Sequence, residues 1–341
     1  MGTATAANQK LRNRVVSLRE FDSQCNANPP AYVVEGLIPE ESVNIAAGDS
    51  GLGKSAWAYQ LGLCVAWGMP FLGLPTKKGP VLYIDLENGR SGIQKLYTSL
   101  SRHLGASGLS DSFYLLTDRD EGLQLESIIA AKRPTLVIID SLRAWNPEAE
   151  EKNRNAARVM MQLREFAKAY KVAFLIIHHI KKPSENYVQV LEDTSTMTWL
   201  LQACGARALI NQADVRLAFD NSSGVRRAVA DINRKSGSQS GEVGLVVKGF
   251  ARLRGEFGPT YLARDFDDEG EARGYRPMKG IELLFNDDQQ AAFPRLPNEF
   301  TFTEGRRIYE RSDQPTRDFL QKCIRVGILE HVGRAYRKLA E

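Results

Sequence analysis

The sequence predicts an α/β fold with a mainly parallel sheet covered by helices, on three observations. Between residues 42 and 178, short apolar runs alternate with longer amphipathic stretches, the order strand, helix, strand. The apolar runs are continuous rather than alternating, as in Val81-Leu82-Tyr83-Ile84 and Leu136-Val137-Ile138-Ile139, which suits strands buried on both faces. Between the first strand and the first long helix lies Gly48-Asp49-Ser50-Gly51-Leu52-Gly53-Lys54-Ser55, the pattern of a phosphate-binding loop in its required setting.

Taken in order, residues 1–12 read as a flexible tail, a short helix follows near Val15 to Phe21, and Asn28-Pro29-Pro30 breaks the chain. Residues 1–29 thus form an N-terminal segment, and the folded core starts near Tyr32. Strands are expected at 42–47, 80–86, 113–116, 135–140 and 172–178, with helices at 54–67, 91–104, 121–132 and 153–170 between them. Residues 181–198 are polar, without a steady period, and read as a long loop. A helix at 199–211 and shorter strands at 214–219, 225–232 and 243–248, with extended segments to about 276, read as antiparallel additions to one sheet edge. The main domain is therefore set at 30–278. Pro294 and Pro297 mark a linker over 279–300, and 301–341 reads as a compact module of two helices and a hairpin. In that module Ser312-Asp313-Gln314-Pro315 starts a helix, and Phe319, Leu320, Cys323, Ile324 and Ile328 form its apolar stripe.

The 341 residues are enough to bury a sizeable core, and the net charge of +4 argues against a constitutive polybasic binder. Residues 301–341 hold nine Lys/Arg against six Asp/Glu, so a charge of +3 sits there and permits a nucleic-acid contact without demanding one. Cys25, Cys64, Cys204 and Cys323 are scattered, with no CxxC pair and no His at ligand spacing, which fits a reduced cytoplasmic protein without structural zinc. The N-terminus lacks the apolar core of a signal peptide, and no apolar run approaches the roughly 20 residues that span a bilayer, so no membrane association is expected.

The chemistry begins at the loop. Its glycines allow φ > 0, so successive N–H groups of Gly48 to Ser55 and of Ala56 can turn inward onto phosphates at a helix N-terminus. Lys54 would reach the β- and γ-phosphates and Ser55 would ligate Mg²⁺. A chance glycine-rich turn is the plain alternative, and the order of strand, loop and helix argues against it. Asp140 closes strand 135–140 at the edge where parallel sheets bind ligands, which makes it the second Mg²⁺ partner, through water. Glu87 follows strand 80–86 and could polarise a water against the γ-phosphate, with Asp85 as a rival and capping of the Asn88-Gly89 turn as the plain reading. His178 and His179 end strand 172–178; being adjacent they face opposite ways and cannot easily chelate one metal, but one of them could hydrogen-bond the γ-phosphate. A structural role at the strand end is the competing reading.

The order of the phosphate loop, Glu87, Asp140 and His178-His179-Ile180-Lys181 resembles the RecA-fold ATPases, in particular the RepA-like hexameric plasmid helicases. Glu35-Gly36-Leu37-Ile38-Pro39 and Val81-Leu82-Tyr83-Ile84-Asp85-Leu86-Glu87 add to the likeness, which covers about residues 30–250. The resemblance implies a RecA-like ATPase domain that hydrolyses ATP at subunit interfaces of a homo-oligomeric ring or filament, expected to be a hexamer. His179 matches the phosphate sensor, and a basic residue acting across the interface is sought at Arg234, within Asn233-Arg234-Lys235, or at Arg207. Relatives often carry an Arg before a Gly-Ser pair where this chain has Cys204-Gly205-Ala206-Arg207, so that Arg is displaced or replaced here.

The resemblance also implies that 142–155 and 181–198 face a central channel, with Arg143, Lys152, Arg154, Lys181 and Lys182, and Trp145 and Tyr187 for stacking, a mixture suited to single-stranded DNA. Glu148, Glu150, Glu151, Glu185 and Glu192 dilute that charge, and a plain mobile loop is the alternative. The C-terminal module resembles a winged helix, with Arg317, Lys322, Arg325, Arg334, Arg337 and Lys338 available for phosphates; a protein partner at this module is the equal alternative. Two functions stay open: a nucleic-acid-dependent motor of the helicase or translocase type, and an ATP-gated loader or regulator with weak hydrolysis. A small-molecule kinase is disfavoured, since neither a lid nor an acceptor site is evident.

Overall fold

The structure, a computed structural model, describes residues 16–339 except 28, 30, 107–109, 119–123, 181–189, 204–206, 223–224, 226–242, 267–271 and 279–284. After helix α1 (Leu18–Ala27) and the ribbon β1 (Tyr32–Val34) and β2 (Ile38–Pro39) come β3 (Val43–Gly48), α2 (Lys54–Trp67), β4 (Val81–Asp85), α3 (Arg90–His103), β5 (Phe113–Leu116) and α4 (Leu125–Lys132). Then follow β6 (Leu136–Asp140), the short α5 (Leu142–Trp145) and α6 (Glu148–Glu151), α7 (Asn153–Tyr170), β7 (Ala173–His179), a 3-10 turn at Leu191–Asp193, α8 (Thr196–Ala203) and α9 (Arg207–Gln212). Strands β8 (Val215–Asn221), β9 (Val243–Ala251), β10 (Gly255–Phe266) and β11 (Ala272–Met278) complete a nine-stranded sheet in the order β11-β10-β9-β8-β3-β7-β6-β4-β5.

The six strands from β8 to β5 in that order are parallel, and β9, β10 and β11 are antiparallel. Such a sheet is buried on both faces, and the residues alternate accordingly. In β7, Phe174 and Ile176 join the core under α4, α7, α8 and α9, while Ala173, Leu175 and Ile177 join the core under α2, α3 and the β1–β2 ribbon. The mainly parallel, helix-flanked sheet with antiparallel strands at one edge is the architecture of a RecA-like fold.

Several boundaries differ from expectation, each for a local reason. Residues 196–198 belong to α8 rather than to a loop, because Ser195 caps that helix and its hydroxyl accepts the Thr198 N–H. The helix expected at 199–211 is two helices, α8 and α9. The strand expected at 225–232 lies, beyond buried Val225, outside the described residues.

The C-terminal region corrects the expected linker. Residues 287–295 form helix α10 (Asp287–Arg295), started by a reciprocal cap between Asn286 and Gln289, and Pro294 sits in its last turn, where it ends the helix. Phe285, Phe293 and Leu296 lie in one buried cluster with Phe300, Tyr309, Phe319 and Leu320, so this stretch is part of the module's core. The module continues with β12 (Glu299–Thr301), α11 (Phe302–Tyr309), α12 (Asp313–Arg325), β13 (Leu329–Val332) and β14 (Ala335–Lys338), and its sheet order is β12-β14-β13. The same cluster reaches Tyr261 and Ala263 of β10 and Met278 of β11, so the module packs on the α7–α9 side of the large sheet.

Candidate nucleotide site

Register brings the site together. Gly48 at the end of β3 pairs with His179 of β7, and Asp85 of β4 pairs with Asp140 of β6, so four neighbouring parallel strands bring their candidate residues to one edge. The phosphate loop leaves β3 and enters α2 at Lys54. Gly51 and Gly53 have φ of 78° and 82°, a left-handed conformation that favours glycine. Gly53 is the N-cap of α2 and no side chain caps that helix, so its first N–H groups and the positive end of its dipole stay available to an anion. Leu52 and Ala56 are buried beneath the loop, while Ser50 lies at its exposed tip with its N–H bonded to Asp49 Oδ1 at 2.8 Å.

Lys54 folds back on the loop. Its Nζ donates to Gly48 O at 2.9 Å and Asp49 O at 2.6 Å and lies 3.3 Å from His179 Nδ1. With 3% of its surface exposed, burial pushes the ammonium down to about 8, opposed by Asp140, Asp49 and Glu87. An ammonium can only donate, so His179 Nδ1 is the acceptor and the neutral ring carries its proton on Nε2. That Nε2 faces Glu87 Oε2 at 3.4 Å. Burial and the Lys54 charge hold His179 below its usual range, with Glu87 opposing, so the ring is neutral at pH 7.

Glu87 also accepts a short hydrogen bond at Oε1 from the Ser141 hydroxyl. Ser141 is the N-cap of α5, and its hydroxyl takes the Ala144 N–H at 3.4 Å. The result is a chain from the loop carbonyls through Lys54, His179 and Glu87 to the start of α5. Asp85, the rival to Glu87, is fully buried and saturated: it accepts from Tyr59 Oη (2.9 Å), Glu87 N (3.2 Å), Asn88 N (3.0 Å) and Asn88 Nδ2. Asp85 caps the turn, and Glu87 is left facing the site.

Asp140 is 1% exposed, and burial pushes its carboxyl up to about 6 against hydrogen bonds from Tyr83 and Ser55 that draw it down. Tyr83 Oη donates to Oδ2 at 2.7 Å, while Oδ1 is buried with no hydrogen-bond partner. An orphaned carboxylate oxygen beside the Ser55 hydroxyl fits a divalent cation, so Ser55 and Asp140 are the residues that would hold Mg²⁺. Among the described residues no group of three or more His, Cys, Asp or Glu could hold a metal ion. Under the site, Tyr59 and Tyr83 stack with centroids 3.8 Å apart, one serving Asp85 and the other Asp140. These tyrosines and Ser141 are site residues that sequence reading passed over, because apolar runs hide a tyrosine's hydroxyl.

The adjacent histidines part as the strand pleat requires. His178, 2% exposed, turns to the other face, where Nδ1 meets Glu150 Oε1 of α6 at 3.0 Å. The expected channel segment 142–155 therefore contains two short helices, joined to the site through Ser141 and Glu87 and to the opposite face of β7 through Glu150 and His178, and Arg143, Lys152 and Arg154 are exposed on it. Arg207 starts α9 at the surface beside α7, where the next residue's N–H meets Asn153 Oδ1. Arg234, Lys181, Lys182 and Tyr187 lie outside the described residues.

A phosphate loop at a helix N-terminus, an acidic strand end poised for Mg²⁺ and a parallel sheet around them define a P-loop NTPase. Residues 9–185, just over half of the chain, match the family described as AAA domain, and the chain belongs to that family, whose P-loop is of the ATPase type. No curated protein matches the chain. No described helix is long and apolar enough to cross a membrane.

Proposed function

We propose that the chain is the subunit of an oligomeric, ATP-hydrolysing motor of the helicase or translocase type that acts on single-stranded DNA in the cytoplasm, similar to the RepA-like hexameric helicases. The observation that carries the reading is the tie between the nucleotide site and the start of the 142–155 segment, Glu87 to Ser141, beside which His178, on the opposite face of the same strand end, holds Glu150 of that segment. A motor needs its hydrolytic residues joined to whatever grips the track, and Arg143, Lys152, Arg154 and Trp145 sit on the joined segment.

In this reading the loop N–H groups and Lys54 bind the phosphates, which draws Lys54 off the carbonyls of Gly48 and Asp49 that now hold it. Glu87 takes the proton of the attacking water, and its release from Ser141 frees the start of α5 to move. His179, bonded to both Lys54 and Glu87, responds to the γ-phosphate and passes its presence to the segment beyond residue 180. Mg²⁺, when bound at Ser55 and Asp140, supplies positive charge against the phosphate oxygens. The resemblance places a basic residue of a neighbouring copy, Arg207 or Arg234, at the γ-phosphate, and hence the chain in a ring or filament, a hexamer by resemblance.

The C-terminal module, winged-helix-like in its order of helices and strands, supports a protein-docking role more than a DNA-binding one. Arg317 lies over Phe302 and Lys322 over Phe285, Arg325 pairs with Asp193, Arg337 with Glu299 and Glu330, and Lys338 covers Phe293. Five of the six basic residues expected to meet phosphates are thus engaged within the chain. ATP hydrolysis measured with and without single- and double-stranded DNA, with the oligomeric state followed in each condition, tests the whole reading. Stimulation by single strands and unwinding that needs Lys54 and Glu87 are the expected results; nucleotide-dependent assembly with negligible hydrolysis would replace the motor with an ATP-gated regulator.

A further inference from the structure

The antiparallel ribbon β10–β11 lies at the far edge of the sheet, yet its two faces meet two different parts of the molecule. Tyr261 pairs with Met278 and Arg264 with Tyr275 across the ribbon. Side chains three positions apart on a strand point to opposite faces. Tyr261 and Met278 accordingly join the cluster that contains the C-terminal module, while Leu262 and Tyr275 join the cluster around α2.

Tyr275, 1% exposed, reaches the phosphate loop from behind. Its hydroxyl donates between the carbonyls of Leu52 at 3.2 Å and Gly53 at 3.3 Å. Its backbone is held on α2 by one side chain, since Gln60 accepts the Tyr275 N–H at 2.7 Å and donates to the Tyr275 carbonyl at 2.9 Å. The fit is close: a Cβ on Gly53 would fall 2.1 Å from the Tyr275 hydroxyl and 3.1 Å from Arg264 Nη1. The Arg264 guanidinium lies over the tyrosine ring, 5.6 Å from its centroid.

A peptide unit is planar and trans, so its C=O and N–H point in opposite directions. Holding the carbonyls of Leu52 and Gly53 from behind therefore aims the N–H groups of Gly53 and Lys54 forward, into the loop. Those are the donors that a phosphate-binding loop must present. We propose that Tyr275 is a positioning residue for nucleotide binding, fixing from the end of the large sheet the two peptide planes whose N–H groups face the phosphates. The inference rests on the reading of the loop as a nucleotide site. It concerns groups common to ADP and ATP, so it acts on binding and not on the hydrolytic step.

The variant Tyr275→Phe keeps the ring and removes the hydroxyl. Full-length wild type, Tyr275→Phe, Gln60→Leu and Lys54→Ala are titrated with a fluorescent ADP in Mg²⁺ and assayed for steady-state ATP hydrolysis, at a temperature where thermal melts show all of them folded. Loss of one neutral hydrogen bond predicts ADP binding weakened about fivefold and KM for ATP raised in step, with kcat unchanged. Gln60→Leu, which frees the strand but keeps the hydroxyl, is expected to shift binding in the same direction. A Tyr275→Phe variant with wild-type affinity, or with reduced kcat at unchanged KM, would overturn the inference, and a lower melting temperature with unchanged affinity would make Tyr275 structural only. If Lys54→Ala loses nucleotide while Tyr275→Phe matches wild type, the site stands and only the inference falls; a wild type that binds no nucleotide overturns both.

Discussion

Strands β3, β4, β6 and β7 each deliver a candidate site residue at or just beyond their own C-terminal ends, whereas the antiparallel strands β9, β10 and β11 reach the same site only from behind, through Tyr275. In the parallel half, position along the chain and position in the site are nearly the same thing. In the antiparallel half, Gly53 and the residue that supports it are 222 positions apart. The matched family region, residues 9–185, contains the whole of the first arrangement and none of the second. Chemistry therefore concentrates where the backbone supplies geometry locally, and support is recruited from wherever the fold happens to close.

That contrast can be broken at either end. The largest effect is expected from Lys54→Ala in the parallel half, with ATP hydrolysis falling by about a hundredfold or more and nucleotide binding weakened with it, measured by steady-state turnover and ligand titration. Glu87→Gln is expected to lower kcat by roughly 10² to 10⁴ while leaving ADP affinity near wild type, since in the proposed mechanism it removes the proton acceptor and not a phosphate contact. A parallel loss of affinity would instead make Glu87 part of the binding surface.

Phe319, fully buried in the module core against Phe285 and Tyr309, probes the other region. Phe319→Ala is expected to cost about 3–5 kcal/mol of stability, seen as an early unfolding transition in urea. If ADP affinity survives that transition, the module and the nucleotide site are separable; if it is lost together with the module, the β10–β11 ribbon transmits the damage.

A smaller effect concerns pH. His179 has its folded-state value held below 6.5 by burial and by Lys54, so the unfolded chain takes up the proton first. The stability this contributes is present above pH 6.5 and is lost as the pH falls from there through the lowered folded value. Urea midpoints between pH 7 and 5 should therefore fall more steeply for wild type than for His179→Asn; equal slopes would show that the ring is not held neutral. Smallest of all is Arg325→Ala, which removes an exposed pair with Asp193 at 3.3 Å and is expected to change stability by no more than about 1 kcal/mol.

Strand and helix limits from β3 to β7 were legible in the sequence to within a residue or so, save the start of α4 at Leu125 and the short helices α5 and α6, which fall where a loop was expected. Continuous apolar runs cannot be anything but buried strands when a loop of known geometry fixes the first of them. The α10 helix was not legible as long as Pro294 and Pro297 were read as breakers, although Asn286 and Gln289 carry a helix-start pattern three residues apart. The sequence put Glu87 ahead of Asp85, but the partners that distinguish the two were not legible, because both stand near one strand end. Burial and four donors make Asp85 a cap; Ser141 and His179 turn Glu87 toward the site.

By itself the sequence determined a P-loop NTPase: a glycine-rich loop between strand and helix, acids and histidines closing neighbouring strands, and continuous apolar runs that force a parallel sheet. These features are local, since backbone donors and strand ends are spaced by the chain itself. Only the tertiary structure decided that Ser141 holds Glu87, that Glu150 ties α6 to His178, and that Tyr275 supports the loop at Gly53. Hydrogen bonds between distant segments depend on how strands pair and helices pack, and a serine, a glutamate or a tyrosine carries no mark of its eventual partner.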